Sequence, residues 1–219
     1  LDSLKFIIPY SGVISPAYID REHNGNVYAA FNELFGDRSR IRKDIIDKSS
    51  TIETAIAYAE AGIIPEEKLL TLRKIDSELE GHPTPRMPWI KAATGSLGQG
   101  LSVGVGMALA QRWQKSPART FVVLGDGELA EGSVWEAAAL GAHYKLNNLI
   151  AIADINGLGQ SGGTLHNHDM QAWGRKFASF GWNTIVVDGH NVESLKTALA
   201  QAKKDATPTA IVAKTFKGH

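Results

Sequence analysis

The chain has 219 residues, of which 43% are hydrophobic, and its 23 basic residues balance its 23 acidic residues. This length supports one large hydrophobic core or at most two small ones. The neutral charge does not favour nucleic acid or an anionic membrane surface as a partner. The absence of cysteine excludes disulfides and thiolate metal ligands. Its apolar runs are shorter than a membrane span and no secretory leader is visible, so we expect a cytoplasmic protein.

The first third of the chain carries few chemical signals. Residues 27–35 have a helical pattern, and Ser50 or Thr51 is a typical N-cap for a second helix. A third helix is predicted over residues 67–79, where apolar residues recur on one face. That face comprises Leu69, Leu70, Leu72 and Ile75.

Two glycine-rich segments follow. His82 lies between Gly81 and Pro83, in a loop where a histidine is free to face a site. Residues 95–100 contain three glycines, which permit close approach of the backbone to a ligand, and a helix is predicted over residues 101–114. Small residues recur every four positions there, which predicts close packing within the chain or across a subunit interface; both remain open. These residues are Gly100, Gly104 and Ala108.

The central stretch, residues 120–161, predicts a strand, a helix and a parallel strand. The first strand ends at Gly125-Asp126-Gly127, and the second ends at Asn156. The carboxyl ends of parallel strands meet at one edge of the sheet, where ligands bind, so we expect Asp126 and Asn156 to lie close together. The predicted elements cover residues 121–124, 131–145 and 149–155.

This edge offers ligands for a metal ion and a diphosphate. A hard cation such as Mg²⁺ takes oxygen ligands, and Asp126 offers a carboxylate, Asn156 an amide and the backbone after it a carbonyl. The N-terminus of the following helix favours a phosphate group. An ordinary turn with a capping aspartate is the alternative for Gly-Asp-Gly alone, and the second polar strand end favours the metal site.

The last part of the chain continues to alternate helices and strands. This alternation predicts an α/β fold, with a parallel sheet flanked by helices, in a single domain over residues 1–219. The predicted helices cover residues 170–180 and 192–203, and the predicted strands cover residues 184–187 and 208–216. We interpret His166 and His168 as residues of a solvated loop rather than as metal ligands, because no third ligand lies near them in the sequence.

The motif Gly125-Asp126-Gly127, followed thirty positions after Asp126 by Asn156, resembles the fingerprint of thiamine diphosphate enzymes. The surrounding sequence, GDGELAEGSVWEAAALGAHYKLNNLIAIADINGLGQS, is similar to transketolases of the animal type. The resemblance is dense over residues 59–218, and residues 1–58 match poorly. It implies the N-terminal, diphosphate-binding domain of a transketolase, or that subunit of a split transketolase-like enzyme. Further similar segments are residues 72–83, 93–108, 180–195 and 208–218.

The resemblance implies roles for individual residues. His82 would lie beside the reacting carbon of thiamine and handle protons. Asp126, Asn156 and the Leu158 carbonyl would hold Mg²⁺ or Ca²⁺, and Glu131 would lie at a dimer interface. The residues implied to contact thiamine diphosphate are Gly95, Ser96, Leu97, Asp126, Gly127, Glu128, Asn156, Leu158, Gln160 and Lys217.

The chain departs from the transketolase pattern at three places. His23 is the nearest counterpart of a first Gly-His-Pro histidine, and the family's Lys-Gly-His is replaced by a segment that begins at Lys48 and lacks the histidine. The family continues past Gly218 to another active-site histidine, whereas this chain ends at His219. Either the chain is truncated, or a segment is missing before His219.

By resemblance, the chain would belong to a transferase of carbohydrate metabolism that moves a two-carbon ketol unit from a ketose phosphate to an acceptor. The glutamate that activates thiamine lies in a separate pyrimidine-binding domain in this family, so turnover would need a partner subunit or the rest of a longer chain. We expect a partner subunit and a dimer of heterodimers. Two alternatives remain open: a non-catalytic cofactor-binding or scaffold subunit, and ketol transfer to a non-sugar, carrier-bound acceptor.

Overall fold

A computed structural model describes residues 4–8, 64–71, 74–80, 82, 84–87 and 92–216. It contains a five-stranded sheet, in the order β1-β2-β3-β5-β4, in which every neighbouring pair is parallel. The strands are β1 Leu4–Ile8, β2 Arg119–Gly125, β3 Leu149–Ile155, β4 Asn183–Asp188 and β5 Thr209–Lys214. The α-helices are α1 Gln99–Trp113, α2 Gly132–His143, α3 Met170–Ser179 and α4 Val192–Ala202, and short 3-10 helices cover Glu66–Thr71 and Glu128–Ala130.

Helices cover both faces of the sheet, which confirms the predicted fold class. One face packs against α1, α2 and α3, and the other packs against α4. Successive strand residues alternate between the two cores: Val122 and Ala151 contribute to the first, and Phe121 and Ile150 to the second. This alternation explains why the central strands are continuous apolar runs, since a parallel sheet with two covered faces has no solvent side.

The register of the strands brings their carboxyl ends to one level. Gly125 in β2 pairs with Asp154 in β3, and Ile155 in β3 pairs with Lys214 in β5. The residues that directly follow β2, β3 and β5 therefore emerge at the same edge of the sheet. This edge carries the candidate site.

The small-residue face of α1 is buried within the chain. Gly100, Gly104 and Ala108 are all buried, and α1 packs against β2 and α2. A Cβ atom built on Gly141 of α2 would lie 3.7 Å from Val105 Cγ2 of α1, so the two helices approach closely. Of the two interpretations left open by the sequence, the structure shows packing within the chain.

The helix predicted over residues 67–79 is wrong. Of the described residues in this range, 67–71 and 74–79, only those up to Thr71 are helical, within the short 3-10 helix Glu66–Thr71. Leu70 is 77% exposed, and Ile75 is fully exposed. The Ser77 hydroxyl contacts the Thr71 hydroxyl and accepts a hydrogen bond from the Leu79 amide. Such local side-chain bonds compete with the backbone bonds of a helix. As a result Leu79 is buried, whereas Leu70 and Ile75 of the predicted apolar face are exposed.

The other helices and strands that the prediction placed from residue 101 onward are present, with shifts of a few residues at their ends. The helical predictions over residues 27–35 and after Ser50 lie outside the described residues. In the part of the chain that the structure describes, no helix has the length and apolar character needed to cross a membrane.

Candidate functional site

Asp126 is the buried centre of the sheet edge. Its exposed fraction is 1%, and one carboxylate oxygen accepts a hydrogen bond of 2.9 Å from the Gly127 amide. The other oxygen accepts bonds from the Gly157 amide at 2.6 Å and from Thr164 Oγ1 at 3.0 Å. The end of β2 is therefore tied directly to the loop that follows β3.

Asn156 and the loop after it complete this edge. The Asn156 side chain is buried, donates to Asp154 at 3.3 Å, and accepts a bond of 3.0 Å from the Leu158 amide. The loop then doubles back, with a bond of 3.1 Å from the Thr164 amide to the Gly157 carbonyl, and so delivers the Thr164 hydroxyl to Asp126. The structure thus brings together Asp126 and the segment that begins at Asn156, as predicted from the two strand ends.

The Leu158 carbonyl also faces this edge. A Cβ atom built on Gly127 would lie 3.9 Å from the Leu158 carbonyl oxygen and 3.4 Å from the Gly159 Cα atom. The absence of a side chain at Gly127 therefore leaves room between the turn after β2 and the loop after β3. The Leu158 carbonyl oxygen borders this room, and the Asp126 carboxylate and the Asn156 amide belong to the same edge of the sheet.

The electrostatics of Asp126 favour a cation. Burial raises the pKa of the Asp126 carboxyl above its ordinary value, and the charge of Asp154 acts in the same direction. The hydrogen bonds from Gly157, Thr164 and Gly127 act against this rise. Among residues 4–8, 64–71, 74–80, 82, 84–87 and 92–216, no cationic side chain forms an ion pair with Asp126. A buried carboxylate without a cationic partner, beside neutral oxygen atoms, fits a hard divalent cation.

A metal-free chain is expected to lose stability as the pH rises through the range in which Asp126 ionises. A carboxyl with a raised pKa binds its proton more tightly in the folded chain than in the unfolded chain, where the value is roughly 4. Its contribution to the free energy of unfolding is therefore largest below that pH and falls as the pH rises through the raised value. In thermal melts with EDTA, Asp126→Asn should gain stability relative to wild type across this range. A melting-temperature difference that is independent of pH would contradict this expectation.

His82 and Gly95 form a second cluster. Gly95 has a φ angle of 128°, and a Cβ atom built on it would lie 2.5 Å from His82 Cγ. Only a glycine allows the imidazole to lie this close to the backbone, and the His82 side chain is exposed on its other side. The structure therefore brings the predicted catalytic histidine against the glycine-rich loop. In the same loop, Ser96 is exposed and Leu97 is half-buried.

Glu128 lies between the two clusters. It is 1% exposed, and its carboxylate accepts hydrogen bonds from the Gly98 amide at 2.8 Å and from the Gly125 amide at 3.3 Å. The Ser133 hydroxyl donates to the Gly98 carbonyl at 3.1 Å. Gly98, with a φ angle of 85°, begins α1 and is therefore held at both its amide and its carbonyl.

Two histidines hold the peptide that follows β5. His168 Nε2 lies 2.9 Å from the Thr215 carbonyl oxygen, and the Phe216 amide donates to His190 Nε2 at 2.9 Å. The Thr215 hydroxyl also donates to Asp154. His168 is therefore half-buried and bonded rather than part of a solvated loop, which corrects that interpretation. His166 packs edge-on against the buried Trp173 ring, with 4.9 Å between the ring centroids.

The other predicted site residues either are exposed or lie outside the described part of the chain. Gln160 is exposed on the loop after Asn156. Lys217, His23 and His219 lie outside the described residues. The prediction missed Thr164, which the closure of its loop brings to Asp126, and Ser133 of α2, whose partner Gly98 is 35 residues away in the chain. It also missed Asp154, whose signal is a charge within an otherwise apolar strand.

The chain matches known proteins over most of its length. A family model described as the thiamine diphosphate binding domain of transketolase matches residues 55–219. The chain is 54% identical over 163 residues to the transketolase of Pongo abelii and 52% identical over 165 residues to transketolase-like protein 2 of Homo sapiens. Each match covers 74% of this chain and 26% of the relative. The chain thus spans about a quarter of the length of these curated relatives.

Solved structures show the same relationship. A transketolase from Campylobacter jejuni has a TM-score of 0.66 and 26% identity, over 96% of this chain and 29% of that chain. A transketolase from Leishmania mexicana has a TM-score of 0.65 and 31% identity, over 74% of this chain and 27% of that chain. Because the family model matches well over half of the chain, the chain belongs to the transketolase family and contains its thiamine diphosphate binding domain.

Proposed function

We propose that this chain binds thiamine diphosphate through a divalent cation, Mg²⁺ or Ca²⁺, held by Asp126, Asn156 and the Leu158 carbonyl. The observation that carries the proposal is the Asp126 carboxylate, which is 1% exposed at the carboxyl edge of a parallel sheet. Its burial disfavours the anion unless a cation is present. The diphosphate would neutralise the cation from the open side, next to Gly127.

Bound thiamine diphosphate supplies the nucleophilic carbon for ketol transfer. The residues of this chain bind and orient it. Gly127 leaves room at the metal site, and the loop from Gly157 to Thr164 covers Asp126 and keeps water from its carboxylate. His82, which is exposed above Gly95, is placed to hold or move a proton at the other end of the site. Ser96, Leu97, Gln160 and Lys217 remain proposed cofactor contacts.

The activity we propose is transfer of a two-carbon ketol unit from a phosphorylated ketose to an acceptor. The relatives are about four times longer than the matched region. We propose that the pyrimidine-binding part of the enzyme is supplied by a separate subunit, or by the rest of a longer chain. The assembly would be a dimer of heterodimers in the cytoplasm. Its partners would be small molecules and this subunit, without nucleic acid or membrane.

The purified chain is expected to show no ketol transfer until the pyrimidine-binding partner is added. The reason is that the glutamate expected to activate thiamine belongs to the pyrimidine-binding part of the family. The measurement is transfer from a ketose phosphate with thiamine diphosphate and Mg²⁺, first with each subunit alone and then with both. Activity of the chain alone would refute the need for a partner.

A second candidate function is that of a non-catalytic cofactor-binding or scaffold subunit. The observation that favours it is the segment at Lys48, Ser49 and Ser50, which lacks the histidine expected there. Calorimetric titration of the reconstituted pair separates the candidates. Binding of thiamine diphosphate with turnover supports the enzyme, binding without turnover supports a cofactor-holding subunit, and no binding supports a scaffold. Product analysis with sugar and carrier-bound acceptors then identifies the acceptor class.

A further inference from the structure

We propose that Glu128 is a positioning residue, which fastens the glycine-rich loop of residues 95–98 to the turn of residues 125–127. The inference rests on the proposed function, because those two segments carry the two ends of the cofactor site. The Glu128 carboxylate accepts a bond of 2.8 Å from the Gly98 amide in the loop and one of 3.3 Å from the Gly125 amide in the turn. One side chain thus joins segments that are about thirty residues apart in the sequence.

The chemistry of a carboxylate suits this link. A carboxylate is an acceptor at both oxygens, so it binds two amide donors without presenting a donor to either. Glu128 is 1% exposed, and its negative charge is stabilised by bonds to amides. A carboxylate that faced the diphosphate would repel it, whereas Glu128 is turned into the protein. Its contribution is therefore to place the backbone that meets the ligand.

Gly98 has little freedom to move away from this link. Its carbonyl accepts a bond of 3.1 Å from Ser133 Oγ, so both ends of the residue are held. A Cβ atom built on Gly98 would overlap Ser133 Oγ and lie 2.7 Å from Glu131 Cβ. Glu128, in the connection between β2 and α2, and Ser133, in the first turn of α2, therefore both contact one residue of the loop.

This link sets the distance between the two halves of the site. At one end of the loop Gly95 contacts the His82 ring, and at the other end Gly98 is bonded to Glu128. The turn that contains Gly125 continues directly into Asp126. Loss of the Glu128 bonds is therefore expected to weaken the binding of ligands that span both halves of the site. It should weaken the binding of ligands that occupy the Asp126 half alone to a smaller extent.

The test compares Glu128→Gln, Glu128→Ala and Ser133→Ala in the full chain, reconstituted with its partner subunit if cofactor binding requires one. Hydrogen exchange of a peptide that covers residues 95–98 measures the link directly, and we expect at least tenfold faster exchange of the Gly98 amide in Glu128→Ala. With Mg²⁺, the affinity for thiamine diphosphate should fall roughly 10–100-fold, in the range of other positioning contacts. The affinity for inorganic pyrophosphate should fall less. Ser133→Ala and Glu128→Gln, each of which keeps part of the link, should give intermediate effects.

The control is Glu193→Gln, an exposed glutamate on α4 whose contact is Lys196 at the surface. It should leave exchange at residues 95–98 and both affinities unchanged. Unchanged exchange in the Glu128 variants, or an equal loss of affinity for both ligands, would overturn the inference. If Glu128→Ala does not fold, Glu128→Gln and Ser133→Ala decide the question by the same criteria. If wild type binds neither ligand, the proposed function fails, while exchange at Gly98 still shows whether the link exists.

Discussion

Replacing Asp126 by asparagine is expected to abolish Mg²⁺-dependent binding of thiamine diphosphate while changing the stability of the metal-free chain by only about 1 kcal/mol. The amide oxygen of asparagine can still accept the bonds from Gly157 and Thr164, and only the bond from the Gly127 amide is lost. A bond of this kind contributes about 1 kcal/mol. The asparagine also removes the buried negative charge, and this gain in stability offsets the loss of the hydrogen bond. The same change removes the anionic metal ligand, so metal-dependent binding is lost.

Thermal melts measure both effects. At a ligand concentration of 100 times the dissociation constant, wild type should gain about 2.7 kcal/mol from thiamine diphosphate and Mg²⁺, and the variant should gain nothing. The matched control is Asp188→Asn, which alters another Asp-Gly pair at the carboxyl end of a strand. Asp188 is exposed and lies at the end of β4, three strands away from β2 in the sheet. This variant should keep the full ligand-dependent gain. A ligand-dependent gain in Asp126→Asn equal to that of wild type would refute the proposed metal site.

Replacing Gly98 by alanine is expected to destabilise the chain by roughly 2–5 kcal/mol. Alanine is strained at the φ angle of 85°, and its methyl group would overlap Ser133 Oγ and lie 2.7 Å from Glu131 Cβ. Because Glu131 Cβ is fixed to its backbone, the loop or the start of α2 must move. The free energy of unfolding in urea measures this loss, and the affinity for thiamine diphosphate should fall with it.

Gly106→Ala is the matched control, because it changes a glycine within α1, the helix that Gly98 begins. A Cβ atom at Gly106 meets no heavy atom within 4 Å. Alanine is favoured over glycine inside a helix, so this variant should gain roughly 0.5–1 kcal/mol of stability. An equal change in the free energy of unfolding for the two substitutions would show that the close contacts around Gly98 do not exclude a side chain there.

The fold and the centre of the site were predictable from the sequence for a physical reason. In a parallel sheet covered on both faces, central strands are apolar runs, and a polar residue at the end of such a run marks the ligand edge. Asp126 and Asn156 stand out on that ground, and the transketolase resemblance, which the family match confirms, supports the choice. The contact residues Thr164 and Ser133 were not predictable, since their partners, Asp126 and Gly98, are 38 and 35 residues away in the chain.

The errors have a related cause. Periodicity favoured a helix over residues 67–79, but the hydroxyl groups of Thr71 and Ser77 form bonds that stop the helix after one turn or two. The interpretation of His168 as a solvated loop residue failed because its partner, the Thr215 carbonyl, is 47 residues away in the chain. Both outcomes depend on bonds that composition and spacing do not encode.

The position of β5 in the sheet has a consequence for how the chain folds. In the order β1-β2-β3-β5-β4, the strand that comes last in sequence among these five lies between two strands that precede it in the chain. On the ribosome, β4 therefore emerges before the strand with which it pairs, and the edge of β3 stays open until residues 209–214 arrive. An open edge is a template for pairing with other chains. Since Thr215 contacts Asp154 only after this insertion, the contact between them forms only once β5 is in place, and nascent chains that stop short of β5 should be prone to aggregation.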